Sequence, residues 1–307
     1  MIPDLHSVRC FVAVAEELHF GRAATRLFMT QPPLSRQIQL LESALGVSLL
    51  IRTSRSVRLS AAGRLFLDDA RRLLGFAEQA AVTARRAAAG EQGRVILGFT
   101  AVSGYEMVPS LIAAAARDLP DIEIVLKEMV TARQIDALAT GSLDLALMRP
   151  QALGPAFGHR ALTREPLVAV LPAAHALVAR SELVLQDFDD QAVIMYARGE
   201  GEYFYDLIAG LLASVGARPR YVQHIGQTHT ILALVRAGVG VALVPASAQC
   251  FRFEGLVFRA LREAPAACAE IHMAWRRDRD NPALDTLRRF AIQHVCRPNA
   301  GAAQPQA

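Results

Sequence analysis

From Ser60 to Gly90 nothing interrupts a helical register. Leu67, Ala70, Leu74, Ala77, Ala81, Ala84 and Ala88 step alternately by three and four, the spacing of an alanine-rich coiled-coil seam. At 1.5 Å per residue this helix, capped by Ser60 and reaching Ala89, runs about 45 Å, longer than a simple connector needs. Gly90 and Gly93 stop it. So long a helix divides the chain into a short unit before it and a long one after it. Its seam is expected to meet a second copy of itself.

The short unit reads as helical. Leu5, Val8, Val12 and Ala15 recur at helical spacing behind Pro3 and Asp4, and a second, shorter helix fits 20–27. A third begins at Thr30, which can cap it, and is launched by Pro32 and Pro33. Prolines in a first turn give up only amides that have no helical partner anyway. At about 100° per residue Leu34, Ile38, Leu41 and Leu45 fill one arc. Pro32, Ser35, Arg36 and Gln39 fill the opposite one, with Gln31 at its edge. Gly46 ends the helix. Two short extended runs over 49–60 then predict a β-hairpin bearing Arg52, Arg55 and Arg58.

Charge separates the same two units. Up to Gly90 there are 12 Arg and no Lys against 7 Asp or Glu, a net +5. The remainder carries 21 basic and 22 acidic residues, a net −1. A basic head on a neutral body points to an anionic partner, nucleic acid or a membrane surface. No apolar run approaches the roughly 20 residues of a membrane helix. Met1-Ile-Pro-Asp-Leu-His lacks the basic start and apolar run of a signal peptide, so a cytoplasmic protein is expected.

Beyond Gly93 short apolar runs alternate with helical patterns. Strands are predicted at 95–100, 122–127, 143–148, 167–171, 192–196, 221–225, 239–244 and 271–275. Helices are predicted at 109–117, 132–139, 203–215, 230–237 and 282–295. Such alternation predicts an α/β domain with mostly parallel sheets. The Ala/Pro/Gln tail after Arg297 is expected to be disordered.

The run from Phe20 to Gly63 resembles the N-terminal winged helix-turn-helix of LysR-type transcriptional regulators. The match rests on Phe20, Ala23-Ala24, Leu27, Thr30-Gln31-Pro32, Leu34-Ser35, Gln37-Ile38, Leu41-Glu42, Leu45-Gly46, Leu49, Arg52, Val57, Leu59-Ser60 and Ala62-Gly63. Leu50 departs from the Phe usual there, which bears on packing of the wing. The resemblance continues more loosely through Gly141-Ser-Leu-Asp-Leu-Ala146, Leu167-Val-Ala-Val-Leu-Pro172 and the stretch 235–245.

The resemblance implies three parts: residues 1–60, a winged helix-turn-helix that reads DNA; residues 61–92, a linker helix that dimerises; and residues 93–307, a two-lobed effector domain like a periplasmic binding protein. It implies double-stranded promoter DNA as a partner, a small effector in the cleft, and a homodimer or homotetramer. The third helix would enter the major groove, where Gln31, Pro32, Ser35, Arg36 and Gln39 face bases or phosphates. Arg52 and Arg55 on the wing would hold the backbone. For Arg58, Arg71 and Arg72 a solvated charged face is expected instead.

Effector candidates collect at predicted strand ends, where open α/β sheets bind ligands. Thr100 and Ser103 follow the first strand, Thr131 opens the helix after the second, and Arg149 follows the third. Hydroxyls and helix-start amides favour a carboxylate. Thr131 also fits a plain N-cap, in a capping box with Gln134, and Arg149 a structural ion pair. Tyr196, Tyr203 and Phe204 either wall a pocket for an aromatic or unsaturated acid or pack a core. The layout is most similar to regulators of aromatic-compound catabolism, whose effectors are benzoate- or muconate-like acids.

Enzyme chemistry is not signalled. There is no P-loop, GxSxG or HExxH, and the eight histidines show no metal-ligand spacing. Cys10, Cys250, Cys268 and Cys296 form no CxxC or zinc pattern, so free thiols and no cofactor or metal are expected. Two alternatives remain: a thiol-switch regulator of the same fold, which the spread of the cysteines disfavours, and a solute-binding protein, which the basic head disfavours.

Overall fold

The computed structural model describes residues 3–53, 56–262 and 268–295. Arg55, Cys296 and the C-terminal tail lie outside the described residues. The chain forms two compact units, residues 1–86 and 87–307.

In the first unit α1 (Leu5–Glu17), α2 (Phe20–Arg26) and α3 (Gln31–Leu45) enclose a core of Phe11, Ala23, Leu34, Ile38 and Leu41. The expected apolar arc of α3 is the buried one. Thr30 stands at its N-cap without a side-chain cap bond, and Gly46 closes it at φ +70°. β1 (Leu50–Arg52) and β2 (Val57–Leu59) pair antiparallel as the wing, Leu50 opposite Leu59. α4 (Ala61–Ala88) follows. The Ser60 hydroxyl accepts from the Gly63 amide at 2.9 Å and donates to the Ser48 carbonyl at 2.7 Å. A Cβ at Gly63 would lie 2.0 Å from the Leu49 carbonyl oxygen, so only glycine lets α4 pass the wing this closely.

The seam expected on α4 is partly occupied from within. Ala70 is fully buried, and Leu67 and Leu74 pack on the same core as Phe11 and Leu34. Phe66 of α4 meets the Phe11 ring with centroids 5.4 Å apart. Farther along, Ala81, Ala84 and Ala88 of the seam are exposed. Of the large exposed apolar residues of α4, Leu65 (77%), Leu73 (45%) and Phe76 (73%) share an arc of about 80° on another face. Arg71 is not merely solvated: its Nη2 lies 2.8 Å from Glu16, which also binds Arg26 at 2.8 Å. The Arg71 hydrogen bond, with help from Arg26, holds the Glu16 carboxyl below its ordinary pKa.

The second unit contains β3 (Gly93–Phe99), α5 (Met107–Asp118), β4 (Ile122–Glu128), α6 (Thr131–Thr140), β5 (Leu145–Met148) and the long β6 (Phe157–Pro172). There follow β7 (Glu182–Leu183), β8 (Ala192–Tyr196), α7 (Arg198–Ser214), β9 (Arg220–Ile225), α8 (Thr228–Arg236), β10 (Ala242–Pro245), β11 (Leu256–Leu261), β12 (Cys268–Arg276) and α9 (Pro282–Val295). One lobe has the strand order β4-β3-β5-β12-β6, with Val95, Leu97, Leu145 and Met273 in its core. In the other, β6 pairs with β10 and β11, and Leu167, Val170, Ile194 and Leu243 pack beneath α7 and α8.

The sheets are mixed rather than mostly parallel. β3 is parallel to both neighbours, whereas β12 runs antiparallel to β5 and β6. The cause is β6, which serves both lobes: Phe157–Pro166 pair with β12, and Leu167–Pro172 with β10 and β11. The sequence predicts only its apolar second half.

Candidate functional site

The first unit presents one polar face of α3. Gln31, Pro32, Arg36 and Gln39 are exposed and Ser35 is half-buried, opposite the buried Leu34, Ile38 and Leu41. The guanidinium of Arg36 has no ion pair among the described residues. Arg52 differs from the expectation of a free phosphate contact. Its Nη2 sits 3.0 Å from Glu42 Oε2, and its guanidinium lies over the Phe20 ring, 5.1 Å from the centroid. Glu42 Oε1 accepts from the amides of Leu49 and Leu50 at 2.8 and 3.0 Å. One carboxylate thus pins the wing to α3 and takes up the charge of Arg52. Arg55 lies outside the described residues.

The second unit encloses a cavity of about 780 Å³ at the ends of its strands. Thr100–Val102 wall it after β3, Glu128–Ala132 between β4 and α6, and Arg149–Gln151 after β5. Tyr196, the first turns of α7 and Gly226–Thr228 close the opposite side. Six of the seven residues expected here line it; the exception is Ser103. Ser103 is 1% exposed, and its hydroxyl donates to the Thr100 carbonyl at 2.7 Å within the turn after β3.

Arg149 is the residue of most chemical interest. It is 4% exposed, and its Nη1 donates to the Glu270 carbonyl at 2.8 Å. Its guanidinium stacks over Phe204, 4.5 Å from the centroid, and at 5.6 Å from that of Tyr203. Nε and Nη2 have no hydrogen-bond partner. Glu165 Oε1 stands 3.9 Å from Nη2, too far for a hydrogen bond. Burial lowers the Arg149 pKa, opposed by the charge of Glu165. An arginine starts so basic that it stays cationic. A buried cation with two idle donors is costly unless something comes to pair with it.

Thr131 is the first residue of α6 behind the N-cap Val130, and its hydroxyl accepts from the Arg149 amide at 3.2 Å. The expected capping box is not formed. Gln134 is buried and turns inward, donating to the carbonyls of Met129 and Leu147 at 3.0 and 3.3 Å. Tyr196 and Phe204 stack at 4.6 Å and serve both as core and as cavity wall. Burial pushes the Tyr196 phenol far above its ordinary pKa, and its hydroxyl sits 2.7 Å from that of Thr228. The Tyr203 hydroxyl accepts from the Glu270 amide at 2.9 Å.

Residues 5–64 match the family model described as the bacterial regulatory helix-turn-helix protein, lysR family. Residues 88–296 match the LysR substrate binding domain. The chain is a LysR-type transcriptional regulator. It is 38% identical to an uncharacterized HTH-type transcriptional regulator, YnfL, of Escherichia coli (strain K12), over 93% of this chain and 96% of that one. It is likewise 38% identical to the HTH-type transcriptional regulator IlvR of Caulobacter vibrioides, over 96% and 100%. Among solved structures it resembles full-length CbnR complexed with its target DNA, with TM-score 0.84 and 27% identity over 95% of this chain and 99% of that one.

Several lining residues of the regulator escaped the sequence reading: Gln151, Glu200, Gln227 and Thr228. Thr228 was findable, since a hydroxyl opening a helix directly after a strand is the same signal that marked Thr131. Glu200 carried none, because a lone glutamate in a first turn is commonplace. No helix among the described residues is long and apolar enough to cross a membrane.

Proposed function

We propose that this regulator is cytoplasmic and senses a small carboxylate, aromatic or unsaturated in body, whose acid group is taken by Arg149. The observation that carries the reading is the buried guanidinium at the cavity wall with Nε and Nη2 unpartnered. A bidentate carboxylate matches that planar fork. Thr100 and Thr131 offer hydroxyls beside it, and Tyr196, Tyr203 and Phe204 supply flat apolar surface.

Residues 1–60 then read promoter DNA, 61–92 dimerise, and 93–307 bind the effector. Gln31, Ser35, Arg36 and Gln39 face the groove, while Arg52 acts chiefly by fixing the wing. The solved complex of CbnR with its target DNA supports the reading that this chain binds DNA. The exposed face of α4 supports a dimer, and the family resemblance a homotetramer. An effector shifts such an assembly only by its difference in affinity for the lobes' open and closed arrangements.

Calorimetry of the full chain against benzoate, cis,cis-muconate and pentanoate tests the ligand class. Binding is expected for at least one acid, with a loss of about 100-fold in Arg149→Met, the scale of a charge-assisted bidentate pair, and a smaller loss in Thr131→Val. Binding that neither variant changes would refute the reading.

A further inference from the structure

We infer that the effector is dipolar, with its carboxylate at Arg149 and a cationic amine held by Glu200. This rests on the reading of Arg149 above and names the class of acid that the same cavity takes.

The charges around the cavity are unbalanced. Glu128, Glu200, Glu202 and Asp206 line it against one cation, Arg149. A simple acid satisfies Arg149 but brings its negative charge into a space otherwise bounded by carboxylates. A diacid does so twice. A molecule carrying one charge of each sign meets an opposite charge at both ends.

The four carboxylates are not equivalent. Glu202 and Asp206 lie in the field of Arg198, whose pKa their charges help to raise. Glu200 has no ion pair among the described residues. It sits in the first turn of α7. Its side chain folds inward over the opposite wall: a Cβ built on Gly226 would lie 1.9 Å from Glu200 Oε2. Gly226 is not among the residues at positive φ. Glycine is therefore needed there for room rather than for backbone conformation, and the room is taken by a carboxylate. A carboxylate held against a cavity wall without a cation is the complement of a buried guanidinium whose Nε and Nη2 make no hydrogen bond and whose nearest carboxylate, Glu165, stands 3.9 Å away.

Full-chain calorimetry on matched probes tests this. One pair is phenylalanine with 3-phenylpropanoate, the second 5-aminopentanoate with pentanoate, and 2-phenylethylamine serves as the amine alone. In at least one pair the amino acid is expected to bind about tenfold tighter or more than its amine-free partner, the scale of one charge-assisted contact. Glu200→Gln, at an exposed position, is expected to bring that ratio close to one; retained binding to promoter DNA shows the variant folded. Acids that bind through Arg149 with no gain from an amine in either pair, or cis,cis-muconate binding tightest, would overturn the dipolar class and leave the carboxylate reading standing. Binding of 2-phenylethylamine alone, unchanged in Arg149→Met, would overturn the carboxylate reading as well. So would the absence of binding by every probe.

Discussion

Removing the Glu42 carboxylate is expected to release the wing while leaving the helices of the head in place. Glu42 Oε1 accepts two amides, from Leu49 and Leu50, and Oε2 holds Arg52 at 3.0 Å. Hydrogen bonds to a charged group contribute about 1.5–3 kcal/mol each. The Arg52 pair is partly exposed and adds less than about 1 kcal/mol. Because these terms share one side chain they do not add fully, and Glu42→Ala is expected to weaken the wing's attachment by about 3 kcal/mol. That is roughly a hundredfold in the equilibrium for local opening, provided global unfolding is not cheaper. Hydrogen exchange read by mass spectrometry on peptides covering 47–59 reports it directly, with peptides from α1 as the internal reference. Arg52→Ala separates the two roles of that arginine. As a brace for the wing it leaves the salt dependence of DNA binding unchanged, whereas a phosphate contact contributes about 0.9 to the slope. Wing protection in Glu42→Ala within threefold of the parent, or a slope reduced by about one in Arg52→Ala, would refute the reasoning.

The exposed stripe on α4 gives a second expectation. Phe76→Asp is expected to shift the full chain toward smaller species in sedimentation at micromolar concentration, because a desolvated charge in a seam costs several kcal/mol; an undiminished assembly would place the interface elsewhere. On α3, Arg36→Ala is expected to cost about 1–3 kcal/mol on promoter DNA and clearly less on random DNA. Equal losses in a competition gel shift would remove Arg36 from sequence reading.

In the head α3 was legible because it shows one apolar face at helical spacing, and Leu34, Ile38 and Leu41 are buried as that spacing requires. By contrast, α1 is buried at every position from Cys10 to Ala15 and leaves Leu5 exposed. What the sequence concealed was pairing between distant residues. Arg52 reads as a free basic residue until Glu42 is brought beside it. Ala70 reads as a seam residue, but the core of the head claims it first. Thr131 and Gln134 have the spacing of a capping box, yet Gln134 turns inward to donate Nε2 to two buried carbonyls, and its Oε1 accepts nothing from the helix start. The first half of β6 was unreadable because the adjacent polar pairs His159-Arg160 and Arg164-Glu165 break the apolar/polar alternation that marks a strand. In the cavity, the strand ends bring Thr100, Thr131 and Arg149 into the lining. Ser103 turns back into its own loop, because position after a strand does not fix which way a hydroxyl turns.

The shared strand β6 limits how the two lobes can move. Pro166 is the last residue paired with β12, opposite Cys268, and Leu167 is the first paired with β10, opposite Pro245. No residue of β6 lies between the two pairings to act as slack. Proline's ring also fixes one of its own two backbone torsions. Along this strand, a change of angle between the lobes falls on the torsions of a single peptide junction or must strip ladder bonds from one side. Glu165, adjacent to that junction, is also the carboxylate nearest the Arg149 guanidinium. A joint so short is a stiff one, suited to switching between two seated positions rather than to drifting through a continuum.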